Sequence, residues 1–131
     1  MALVEWEERY SVGNERIDQQ HQRIVAMINT LGEAMETGKE KPVLMKILAD
    51  LVGYTKTHFS EEENLMAQRG YPHLAEHQEQ HAHLNRQLAD YYRNFYISSR
   101  PQSAQVMAFL QDWLYSHILA EDKRYAPFLA G

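Results

Sequence analysis

Five of the chain's seven histidines stand where a helix can aim them inward, and two of those places also carry a carboxylate. The pieces are His21, His58 with Glu62, His77 with His81, and His117 with Asp122. Side chains four residues apart leave an α-helix from one face, about one turn apart, so a single ion can meet both. Imidazole with a minority of carboxylate suits iron, copper, nickel or zinc rather than calcium or magnesium. The spacing therefore predicts a metal site.

Four helices are expected to position these groups. From Ile17 the core-type residues step by threes and fours through His21, Ile24, Ile28, Leu31 and Met35, the spacing of a bundle helix. Gly38 and Pro42 supply a stop and a fresh start. A second stripe runs through Leu44, Ile47, Leu51, His58, Glu62 and Leu65 to Gly70, with Pro72 expected in the first turn of the next helix. The third takes Leu74, His77, His81, Leu84, Leu88, Tyr91 and Phe95, and ends before Pro101. The fourth takes Val106, Leu110, Trp113, His117 and Ala120, and is bounded by Pro127. The expected helices cover approximately 17–37, 42–69, 72–97 and 102–121 of a single domain spanning 1–131. Short links favour antiparallel neighbours. The expectation is an all-α fold, an up-down-up-down antiparallel four-helix bundle. Residues 1–16, with Val4, Trp6, Tyr10 and Val12, read as an N-terminal arm across it.

Counting outward from each turn tests whether the histidines share a depth. His21 and His58 lie about equally far from the first turn, at ~1.5 Å per residue. Glu62 with His58, and His77 with His81, are similarly balanced about Gly70; His117 and Asp122 bracket the matching level on the fourth helix. The count separates His77/His81 from His73/His77, which share one stripe but would sit too near the turn. His73 and His83 are expected at the surface. His117 and Asp122 are five apart, about 140° around a regular helix, so Asp122 fits best where the helix ends or unwinds.

A lone core histidine is ordinarily a packing residue with a hydrogen-bond partner. Five at one depth beside two acids point instead to metal. The run Glu61-Glu62-Glu63 is ordinarily a solvated helix face; only Glu62 lies on the inward stripe, and Glu61 and Glu63 are expected at the surface. Phe59, Trp113, Leu114 and Ile118 read first as core, and Tyr91, Tyr92 and Tyr96 as packing at the far end of the bundle.

Composition narrows the function. The 131 residues carry a formal charge of −5, are 44% hydrophobic and 24% charged, and include no cysteine. Such a chain can bury a core without staples. Its acidity argues against nucleic-acid binding, and no apolar run reaches the ~20 residues that span a bilayer. The absence of cysteine excludes thiolate ligands and disulfides; with no basic, apolar leader at the N-terminus, the expected location is the cytoplasm.

Five imidazoles and two carboxylates exceed what one ion holds. Two octahedral ions sharing both carboxylates and a solvent-derived oxo or hydroxo bridge would leave one ion six-coordinate and the other five-coordinate, with a vacancy for a small ligand. Bundle diiron oxidases use four Glu and two Glu-x-x-His motifs instead. This chain contains no Glu-x-x-His, so reversible binding is expected over enzymatic turnover.

The set His21, His58-x-x-x-Glu62, His77-x-x-x-His81 and His117-x-x-x-x-Asp122 resembles the hemerythrin signature. Asp18-Gln19-Gln20-His21, Gly70-Tyr71-Pro72 and Trp113-Leu114-x-x-His117-Ile118 resemble its single-domain bacterial branch, and the likeness covers nearly the whole chain. The resemblance implies a non-haem diiron centre that binds O2 reversibly. It implies that His77, His81 and His117 hold the six-coordinate iron, that His21 and His58 hold the other, and that Glu62 and Asp122 bridge them. Ile24, Phe59, Trp113, Leu114 and Ile118 would wall the O2 pocket. Transport, storage or supply of oxygen to an oxygen-using enzyme is expected of a monomer. The alternatives are an O2 or redox sensor and, behind it, a diiron oxidase or peroxidase.

Overall fold

The computed structural model describes residues 5–97, 103–113, 117 and 122–129. Four helices dominate: α1 (Glu15–Glu36), α2 (Lys41–Gln68), α3 (Leu74–Ile97) and α4 (Ser103–Trp113). The side chain of Asn14 caps α1 by accepting from the amide of Ile17 at 3.1 Å, which satisfies one of the four amides that a helix start leaves without a partner. Pro42 stands in the first turn of α2, where its missing N–H costs nothing.

Both long helices end in the same device. Gly38 and Gly70 take φ of 71°, a left-handed conformation that glycine adopts without a Cβ penalty. Beyond them, Lys39 N–H reaches Ala34 O and Tyr71 N–H reaches Met66 O, each at 3.0 Å. The chain then reverses, so α2 packs against both α1 and α3, while α4 packs against α1. The protein is an all-α, up-down-up-down antiparallel four-helix bundle, and no strand occurs among the described residues.

The buried stripes largely follow the spacing: Ile17, His21, Ile24, Ile28 and Leu31 on α1, and Leu44, Leu51, Thr55, His58 and Glu62 on α2, where Leu48, Phe59 and Met66 are buried as well and the expected Ile47 and Leu65 are only half-buried. α3 buries His77, His81, Leu88 and Phe95. Each large aliphatic side chain so buried contributes about 1.5–3 kcal/mol. Two apolar clusters result. The larger holds Ile24, Ile28, Leu48, Leu51, Phe59, Leu110 and Trp113; the smaller holds Val12, Ile17, Met66, Tyr71 and Tyr125. The histidines lie between them, closed off from both ends.

The arm is fastened as it approaches α1. Asp18 accepts from the Val12 amide at 2.8 Å and from the Ser11 hydroxyl. Lys123 Nζ donates to the carbonyls of Arg9 and Ser11 at 2.9 and 2.8 Å, tying the arm to the C-terminal turn.

One detail departs from the expected outline: α3 begins at Leu74 rather than Pro72, because Gly70 and Tyr71 are still completing the end of α2. Asp122 opens a 3-10 turn, Asp122–Tyr125, which a short helix α5, Ala126–Leu129, follows. Pro127 lies inside α5, in a first turn that needs no N–H from it.

Candidate metal centre

Glu62 is the hub. It projects from the C-terminal part of the buried stripe of α2 and is fully buried. Around its Oε2 stand His58 Nε2 at 3.0 Å and His21 Nε2 at 3.3 Å. Around Oε1 stand His81 Nε2 at 3.1 Å and His77 Nε2 at 3.3 Å. His117 joins the second group, its Nε2 being 3.0 Å from that of His81. All five rings are at most 4% exposed. The structure thus brings six of the seven expected site residues together in two groups, Glu62 with His77, His81 and His117, and Glu62 with His21 and His58. The seventh, Asp122, begins the 3-10 turn; its side chain lies outside the described residues, as do Leu114 and Ile118.

Burial pushes the Glu62 carboxyl up, but the charge of His58 and hydrogen bonds from His21, His58 and His77 outweigh it and hold the group well below the usual carboxylate range. Glu62 is therefore an anion in a fully buried site, crowded by imidazole nitrogens. Buried charges of this kind are held by paired partners or metal coordination.

The outer nitrogens of two rings are anchored. His58 Nδ1–H donates to Gln20 Oε1 at 2.6 Å, and His81 Nδ1–H donates to Glu63 Oε2 at 2.8 Å. Each bond fixes the orientation of its ring and turns Nε2 to the centre, where a bound ion would take the place of the Nε2 proton. The Tyr125 hydroxyl donates to Glu62 Oε2 at 2.5 Å. Phe59 stacks on His81, centroids 3.8 Å apart and planes 7° from parallel, and meets His117 and Trp113 edge-on. Ile24, Phe59 and Trp113, the described members of the expected pocket wall, are all buried.

Of the two remaining histidines, His73 is half exposed and 3.8 Å from Glu76, and His83 is exposed. Glu61 and Glu63 require a correction. They are not plain surface residues: Glu63 is only 23% exposed and takes the His81 bond, while Glu61 accepts from Gln20 and Arg16. The spacing of one helix shows which way a side chain leaves, not which partner arrives from another helix. Gln20, Glu63 and Tyr125 were missed for that reason, although the adjacency of Gln20 to His21 and Glu63 to Glu62 was a usable signal.

The donor set fits a transition metal: imidazoles would supply nitrogen, and the Glu62 carboxylate stands between the two groups.

Comparison with known proteins places this arrangement. The family model for the hemerythrin HHE cation binding domain matches residues 12–129. A bacteriohemerythrin of Stenotrophomonas maltophilia is 35% identical, over 96% of this chain and 81% of its own. One from Methylococcus capsulatus is 32% identical over the full length of both. Myohemerythrin of Riftia pachyptila is 28% identical, over 92% of this chain and 88% of its own. A crystal structure of wild-type hemerythrin superposes with a TM-score of 0.91 at 31% identity, covering 99% of this chain and 100% of that one. The chain belongs to the hemerythrin family.

Proposed function

We propose that this protein binds O2 reversibly at two non-haem iron ions, and so carries, stores or supplies oxygen rather than turning it over as an enzyme. The observation behind this reading is Glu62, a buried carboxylate shared between two groups of imidazoles. In the proposed assignment His77, His81 and His117 hold one ion and His21 and His58 the other, with Glu62 and Asp122 bridging. The five-to-two ratio of imidazole to carboxylate leaves the His21/His58 ion one donor short. A bound iron pair would supply two one-electron equivalents and a position for the ligand.

The chain's own residues do the rest. Gln20 and Glu63 hold two rings in the ligating tautomer. Ile24, Phe59 and Trp113, with Leu114 and Ile118 proposed beside them, keep water and external acid from the bound ligand, which would otherwise be lost with the irons left oxidised. Among the described residues no helix is long and apolar enough to cross a membrane. A cytoplasmic monomer that passes O2 to an oxygen-consuming enzyme completes the proposal.

The test is to add O2 to anaerobic, iron-loaded protein and follow the visible spectrum. A charge-transfer band that appears with O2 and vanishes on its removal is the expected result. Continuous O2 consumption without a reversible band would replace the reading with an oxidase, and no stoichiometric uptake of iron would end it.

A further inference from the structure

The three consecutive glutamates Glu61, Glu62 and Glu63 act as one unit with unequal arms. Neighbouring helical residues point about 100° apart, so with Glu62 aimed at the centre the other two fall on opposite flanks of the same turn. On one flank, Glu63 takes the outer N–H of His81 directly, at 2.8 Å. On the other, the outer N–H of His58 goes to Gln20 Oε1 at 2.6 Å. The amide of Gln20 then donates to Glu61, which Arg16 also engages from the surface. Each imidazole group thus contains a ring whose outer nitrogen ends on an acid of one helical turn: directly for His81, through a neutral amide for His58.

We propose that Glu61 and Glu63 are positioning residues for the two halves of the centre, and that their unequal reach makes His81 the stronger electron donor of the two anchored rings. A carboxylate on the outer N–H raises the basicity of a ligating imidazole. An amide does so less, passing on only the part of the Glu61 charge that polarises it, and the Arg16 guanidinium offsets some of that charge. A more basic ring favours the ferric over the ferrous ion. Of an iron pair held there, the ion on His81 would therefore gain more ferric stabilisation from Glu63 than the ion on His58 gains from Glu61. This rests on the iron reading above.

The experiment compares iron-loaded full-length wild type with Glu63→Gln, Glu61→Gln and, as a charge control, Glu79→Gln, an exposed acid on α3. Iron per chain, the rate of iron release to a chelator and the ferric/ferrous midpoint potential are measured. Glu63→Gln keeps size and an acceptor oxygen but removes the charge. It should shift the potential to more positive values and speed iron release about tenfold. Glu61→Gln should move both in the same direction by less, and Glu79→Gln should match wild type. Variants that both behave like Glu79→Gln overturn the proposal, and so does a larger effect at Glu61 than at Glu63. If Glu63→Gln does not fold, Glu61→Gln decides alone, at a position 34% exposed, and its identity with the control would be fatal. Wild type that takes up no iron refutes the metal reading instead, so the two failures are distinct.

Discussion

The hydroxyl of Tyr125 donates a 2.5 Å hydrogen bond to Oε2 of Glu62, across 63 positions of sequence. Both groups are fully buried. The bond binds the C-terminal turn to the last third of α2 and restricts the rotation of the carboxylate about which the imidazoles gather. Tyr125 also packs in the smaller apolar cluster with Val12, Ile17, Met66 and Tyr71, so its ring is held even without the bond.

Tyr125→Phe should therefore leave the fold intact while loosening the carboxylate. Partners of this kind change metal affinity by about 10–100-fold. Iron retention against a graded chelator series should fall by at least the lower figure, with helical circular dichroism unchanged. Retention equal to wild type would show that the imidazoles alone fix Glu62.

Replacing His77 by Ala should cost close to one iron per chain or disorder both, because its Nε2 stands 3.3 Å from Glu62 Oε1 in the core. His73→Ala removes a half-exposed ring and should load normally. Metal analysis of the two variants checks the pair; equal loading would remove His77 from the ligand set.

Thr55 carries a buried hydroxyl with no hydrogen-bond partner among the described residues, whereas Thr30, Thr37 and Thr57 each bond the carbonyl four residues back. A buried donor left without a partner costs about 1–3 kcal/mol, and valine has nearly the same shape. Thr55→Val should raise the urea-unfolding free energy of metal-free protein by about 1 kcal/mol. A loss of stability would mean that an internal water satisfies the hydroxyl.

The depressed ionisation of Glu62 sets an acid limb. A carboxyl whose folded pKa lies below its unfolded one stabilises the fold fully above the unfolded value, and that contribution is lost as pH falls through the folded value. Metal-free wild type should lose stability more steeply between about pH 5 and pH 3 than Glu62→Gln does. Parallel slopes in urea titrations at those pH values would contradict the strong histidine support of Glu62.

Much of this was legible before any fold was known. Threes and fours of apolar spacing determined four helices and their buried faces, since 3.6 residues per turn allow few other ways to hide them. The balance of His21 against His58, and of His58/Glu62 against His77/His81, determined a common layer, because rise per residue is constant and the turns are short. The signature motif identified the family.

Only the tertiary structure decided what stands behind the ligands. Helical periodicity states the direction in which Glu61, Glu63 and Gln20 leave the backbone, but their partners come from other helices. Whether such a side chain is solvated or anchors a ring depends on that approach. The same holds for Tyr125, which reaches Glu62 because Lys123 and the arm residues Arg9 and Ser11 draw the C-terminal turn onto the bundle end. Local spacing encodes direction; contact between distant segments requires the packed chain.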